Sequence, residues 1–182
     1  MISLYNAQGK KIPKRPVMTT DMIREGVKKF IDGGIRSLNL PLEEPQELVE
    51  AVVKNFCSMD DGYSLAKRLD NDGWDVDSEF VEDMDEVIGS INAELRAAIK
   101  LWFEVYKPVP TFEIGAELFS HSCTDNKHYG YITKISEPGV YEVRMAGTPI
   151  DDPHSTRRLI QFEDAILRNC HVGDVVEPIS AD

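Results

Sequence analysis

The sequence predicts an α+β fold in two parts: an N-terminal α-helical bundle over residues 19–107, then a small antiparallel β-barrel over residues 111–178. Three observations carry this. From Ser78 to Tyr106 apolar residues recur at three- and four-residue steps with no proline, the pattern of one long amphipathic helix. The segment KPVPT, residues 107–111, is a stiff proline-containing linker. Beyond it the pattern changes to a period of two, with turn signals at short intervals, as in a sheet of short strands.

Residues 1–18 precede the bundle. Lys10, Lys11, Lys14 and Arg15, with Pro13 and Pro16, predict an extended basic arm rather than a helix. Thr20 is placed to cap a first helix whose Ile23, Val27, Phe30 and Ile31 form one stripe before Gly33-Gly34 end it. A short extended piece, IRSLNL, follows. Pro45 then stands at the first-turn position of a second helix with Leu48, Val49, Val52, Val53 and Phe56 on its inner face. Asp60 or Asp61 begins a short third helix containing Tyr63, Leu65, Ala66 and Leu69, stopped by Gly73. Asp77 is placed to cap the long helix, with Val76 and Val81 as a hydrophobic staple. In its second half Leu101 and Phe103 widen the apolar arc, so that face needs a cover; a homodimer through these residues is one expectation and the β part is the other.

In the β part, Phe112, Ile114, Ala116 and Leu118 alternate with polar residues. YGYITKIS and VYEVRMA flank Glu137-Pro138-Gly139, which reads as a type II turn, and RRLIQFEDAIL and HVGDVVEPI complete the chain. In order, IGAELF, GYITKI, GVYEVRM and RLIQFEDAIL resemble the strand series of SH3-like small barrels of the KOW and Tudor type. That resemblance implies a one-turn helix at FEDA before the last strand, and peptide or nucleic-acid ligands held by aromatic residues and loops. Residues 45–107, around DGYSLAKRLDNDGWDVDSEFVEDMDE, are similar to small proteins encoded by phages and prophages. Neither resemblance transfers a functional residue.

The 32 acidic and 20 basic residues give a net charge of −12. Such a chain repels nucleic acid unless its basic residues are segregated, and suits a basic partner. Between residues 60 and 86 eleven acids are opposed by Lys67 and Arg68 alone. Acids near helix N-termini cap free amides, but capping explains only part of this wall. Cys57, Cys123 and Cys170, odd in number and widely spaced, suggest reduced thiols and a cytoplasmic setting. No run approaches the length and apolarity of a membrane span.

Chemistry-bearing patterns are sparse. No phosphate-binding loop, dinucleotide fingerprint, zinc-protease helix or nucleophile elbow is present, so no enzymatic activity and no cofactor are expected. Asp70, Asp72, Gly73 and Glu79 fall on ligand and glycine positions of a calcium loop, but Arg68 occupies the first, where a carboxylate is needed. His121, Cys123 and His128, with Cys170 and His171, offer zinc-type donors at a spacing that matches no common zinc pattern. Cys123, His128 and Asp125 lack any recognisable oxyanion-hole element. No metal is therefore assigned.

The function expected from sequence is that of a non-catalytic acidic interaction protein. Asp72, Asp75, Glu79, Glu82, Asp83 and Glu86 would occupy a basic surface of a nucleic-acid-handling partner. With the phage-like resemblance added, this becomes an accessory inhibitor of the anti-CRISPR or anti-restriction type. The alternative is a nucleic-acid-binding module using Lys10, Lys11, Lys14 and Arg15 in the arm with Arg144, Arg157 and Arg158 in the barrel. Tyr129, Tyr131, Tyr141, Phe119 and Lys134 would join it if they share a face.

Overall fold

The computed structural model describes residues 2–33, 45–119, 129–148 and 157–168. IRSLNL, the loop with His121, Cys123 and His128, and the C-terminal segment with Cys170 and His171 lie outside these residues. The described residues form a mixed α+β fold with four α-helices and a five-stranded antiparallel sheet. The chain divides into two compact units. One comprises residues 16–99; the other joins residues 1–15 to residues 100–182.

In the helical unit, α1 (Thr20–Asp32) is capped by Thr19, whose hydroxyl accepts from the Met22 amide at 3.3 Å. Thr20 is instead the first helical residue, because Thr19 is the one with extended backbone, as a cap requires. α2 (Pro45–Asn55) begins at its proline, and α3 (Gly62–Asn71) is capped by Asp61, which accepts from the Ser64 amide at 2.8 Å. α4 (Ser78–Tyr106) starts after Asp77, whose carboxylate accepts from the Phe80 amide at 2.8 Å. The stripes read from the sequence meet in one core: Ile23 and Val27, Leu48, Val49 and Val52, Leu65 and Leu69, and Phe80, Met84, Val87 and Ile91. Val76 and Val81, the staple pair, pack against it, while Tyr63 of α3 is exposed. Gly26 admits α4 at close range, since a Cβ there would stand 2.6 Å from the Ile91 Cα.

The second unit is built on β1 (Glu117–Phe119), β2 (Tyr129–Ser136), β3 (Val140–Met145), β4 (Arg157–Gln161) and β5 (Ile166–Leu167), in the order β4-β3-β2-β1-β5. A one-turn 3-10 helix, Phe162–Asp164, precedes β5. The sheet is open, not a closed barrel: among the described residues β4 pairs only with β3, and β5 offers just two residues to β1. The first strand is also shorter than its alternation suggests, beginning at Glu117 because residues 111–115 bend and turn. The β2–β3 hairpin turns through Glu137-Pro138-Gly139 with a cis Glu137–Pro138 peptide, unlike a type II turn, and with Gly139 at φ +76°.

Leu118, Ile132, Tyr141, Val143, Phe162 and Ala165 fill one side of the sheet, joined by Leu4, Ile12, Trp102 and Phe112. The N-terminal residues are therefore non-helical, as proline and charge imply, yet Leu4 and Ile12 belong to this core. Trp102 donates its indole N–H to the Pro13 carbonyl at 3.1 Å. Phe103 packs against the same core, while Leu101 and Val105 remain exposed.

Candidate interaction surfaces

The helical unit concentrates the charge. Residues 16–99 hold 8 basic and 19 acidic residues, net −11, while the other unit holds 12 and 13, net −1. Much of the acid wall has local work. Asp61 and Asp77 cap helices; Asp60 accepts from the Cys57 amide at 2.6 Å and pairs with Arg68; Asp85 accepts from the Gly62 amide at 2.6 Å. Asp72 accepts from Lys54 at 2.7 Å and Asn55 at 2.8 Å, and the Lys54 hydrogen bond, followed by that of Asn55, holds its carboxyl below the usual carboxylate range. Hydrogen bonds from Ser64 lower Asp61 in the same direction.

Asp83, grouped by sequence with the outward acids, is buried. At about 100° per residue it lies only some 40° from Val87 around the helix, on the margin of the apolar face. Asp70, Asp75, Glu79, Glu82 and Glu86 are exposed and make no ion pair or side-chain hydrogen bond among the described residues. Glu79, Glu82 and Glu86 fall within an arc of roughly 60° on α4, nearly opposite the buried stripe. Of the six acids assigned from sequence, Asp75, Glu79, Glu82 and Glu86 thus form the open surface. Asp72 is exposed but engaged, and Asp83 is withdrawn.

The basic residues also divide. Lys10, Lys11 and Lys14 are exposed, but Arg15 is buried beside them. Its Nε donates to Glu163 Oε1 at 2.7 Å, its terminal nitrogens to the carbonyls of Pro138 at 2.7 Å and Gly139 at 2.8 Å, and its guanidinium lies 5.1 Å from the Trp102 ring centroid. Arg15 serves the fold.

On the sheet, strand periodicity sorts the remaining candidates. Tyr141 and Arg158 fall on the face opposite Arg144 and Arg157; Tyr141 is fully buried, its hydroxyl accepting from the Phe112 amide, and burial raises its pKa. The outer face brings together Tyr129, Tyr131, Phe119, Lys134, Arg144 and Arg157 by register: Phe119 opposite Tyr129, Tyr131 opposite Arg144, Arg144 opposite Arg157. Three further members of this face, Glu142, Glu117 and Arg168, are not among the residues that sequence reasoning singles out. Glu142 accepts from Ser136 at 2.7 Å and stands 3.1 Å from Lys134 and 3.6 Å from Arg157; the Ser136 bond, with Lys134 next, lowers its carboxyl. Glu117 accepts from Arg168 at 2.9 Å, and Arg168 lies 3.6 Å from the Tyr129 ring centroid. The charge of Glu117 raises the Tyr131 hydroxyl. Alternation counted from Ile166 is the signal that puts Arg168 on this side.

Among the described residues no group of three or more His, Cys, Asp or Glu is placed to hold a metal ion, and no helix is long and apolar enough to cross a membrane. Compared with protein-family models, curated proteins and solved structures, the chain matches none.

Proposed function

We propose that the chain is a non-catalytic interaction protein whose helical unit presents an acidic face to a basic surface on a nucleic-acid-handling protein. In its concrete form it is a phage or mobile-element accessory inhibitor of the anti-CRISPR or anti-restriction type, acting in the cytoplasm. The observation that carries this reading is the group Glu79, Glu82 and Glu86, exposed on one arc of α4 and without cations of their own among the described residues, within a unit of net charge −11. Carboxylates needed only for capping or ion pairing would have local partners, as Asp61, Asp72 and Asp77 do. A basic protein surface is the complement that removes their mutual repulsion, and it steers association through long-range attraction.

For the second unit we propose an SH3-like arrangement, supported by the strand order β4-β3-β2-β1-β5 and the 3-10 turn between β4 and β5.

The test is charge reversal at Glu79, Glu82 and Glu86 together. Asp83 is excluded because a buried lysine would damage the fold. The triple variant is expected to keep its circular dichroism and lose capture of the basic partner. Capture at undiminished strength would overturn the reading.

A further inference from the structure

We propose that the outer face of the five-stranded sheet binds single-stranded nucleic acid, with Arg144 and Arg157 taking phosphate and Tyr131 stacking on a base. This site is independent of the acidic face on the helical unit. Its centre is a cross-strand row in which Arg157, Arg144, Tyr131 and Glu117 sit on successive strands β4, β3, β2 and β1. Directly opposed residues on one face have Cβ atoms about 5 Å apart, and like charges so placed destabilise a sheet. Arg144 and Arg157 are such a pair.

The two carboxylates of this face leave Arg144 without a partner. Glu142 serves Ser136, Lys134 and Arg157, and Glu117 serves Arg168. The Arg144 side chain makes no hydrogen bond or ion pair among the described residues, and its Nε is the one buried side-chain polar atom there without a partner. A guanidinium without an ion-pair partner is a ready anion receptor, and an anion seated between the two arginines would relieve their repulsion.

Phosphate fits two adjacent guanidinium forks, and the neighbouring residue across the sheet is an aromatic ring. Tyr131 is half-buried, with its edge contact to Tyr129 at 6.1 Å between centroids and Arg168 covering Tyr129. Arginine beside an aromatic platform matches a backbone phosphate next to an unstacked base, which a single strand offers and a duplex withholds. Charge partition permits it: four basic residues, Lys134, Arg144, Arg157 and Arg168, face two acids in a unit of net charge −1.

The experiment is fluorescence anisotropy of the full chain with labelled oligothymidylate and oligouridylate of about 12 nucleotides, a duplex of equal length and an acidic peptide. Arg144→Gln with Arg157→Gln, Tyr131→Ala, Tyr131→Phe and Lys10→Gln with Lys11→Gln and Lys14→Gln are compared, with circular dichroism monitoring the fold. Either single strand is expected to bind in preference to duplex and peptide. The double arginine variant should lower the slope of log K against log salt by about 1.4, two phosphate contacts at ~0.7 each. Tyr131→Ala should weaken binding about tenfold, and Tyr131→Phe and the arm variant should leave it near wild type. Absence of binding at low salt, equal or better binding of duplex or acidic peptide, unchanged affinity of the arginine variant, or loss in the arm variant alone would overturn the proposal.

Discussion

Arg15 shows how one residue's role is set by partners far away in sequence. It stands in a run with Lys10, Lys11 and Lys14, and nothing local separates it from them. Its partner Glu163 and the carbonyls of Pro138 and Gly139 lie more than 120 positions downstream, so only the folded chain reveals the pair. Both side chains are over nine-tenths buried. Removing one member of such a pair leaves an uncompensated charge, and Arg15→Ala is expected to lower stability by ~3–5 kcal/mol in chemical denaturation. Loss below ~1 kcal/mol would show that the pair is unimportant.

Asp72 and Asp61 make a second prediction at this scale. Their carboxyls are held below the usual range in the folded state, so as pH falls the unfolded chain takes up protons first. The stability they contribute is present above the ordinary carboxylate pKa and is lost as pH drops through the lowered folded values. Asp72→Asn should therefore flatten the pH dependence of unfolding free energy below about pH 5, measured by urea titration, while leaving its slope near neutrality unchanged.

Among the elements, the helices are the most legible in the sequence. Apolar periodicity locates all four, and Pro45, Asp61 and Asp77 mark three starts, because caps and stripes are local properties. The cap of α1 lies one residue earlier than the sequence suggests, because Thr19 and Thr20 are chemically equivalent caps and only backbone conformation separates them. The sheet is less legible. Alternation identifies β2 and β3, and the FEDA turn follows from the barrel resemblance, but neither shows that β1 is three residues long or that the sheet stays open, since pairing depends on long-range register. Alternation separates Arg158 from Arg157 along β4, but only the observed register shows that Arg144 and Arg157 share a face.

Two glycines test the helix packing. A Cβ at Gly89 would have no atom within 4 Å, so Gly89→Ala should stabilise by roughly 0.5–1 kcal/mol through helix propensity. At Gly26 the same gain meets the Ile91 Cα at 2.6 Å and N at 2.8 Å, backbone atoms that cannot swing aside. Gly26→Ala should therefore destabilise by ~1–3 kcal/mol. Thermal melts of the two variants moving the same way would contradict the packing of α1 on α4.

At the scale of the molecule, charge separates by unit, −11 in residues 16–99 against −1 in the remainder. The total of −12 is plain in the sequence; its partition needs the unit boundary, because the N-terminal residues join the β part. This partition lets one chain carry an acidic surface on one unit and a basic aromatic sheet face on the other. On the acidic unit, exposed Glu79, Glu82 and Glu86 are proposed to bind a basic protein. The most direct test is affinity capture from bacterial lysate, with and without nuclease, by the wild type and by the variant with all three glutamates changed to lysine. The expected result is a nucleic-acid-handling protein retained by the wild type, resistant to nuclease and absent from the variant. Equal retention by the variant, or retention that vanishes with nuclease, would contradict it and leave the acidic arc as a solvated surface.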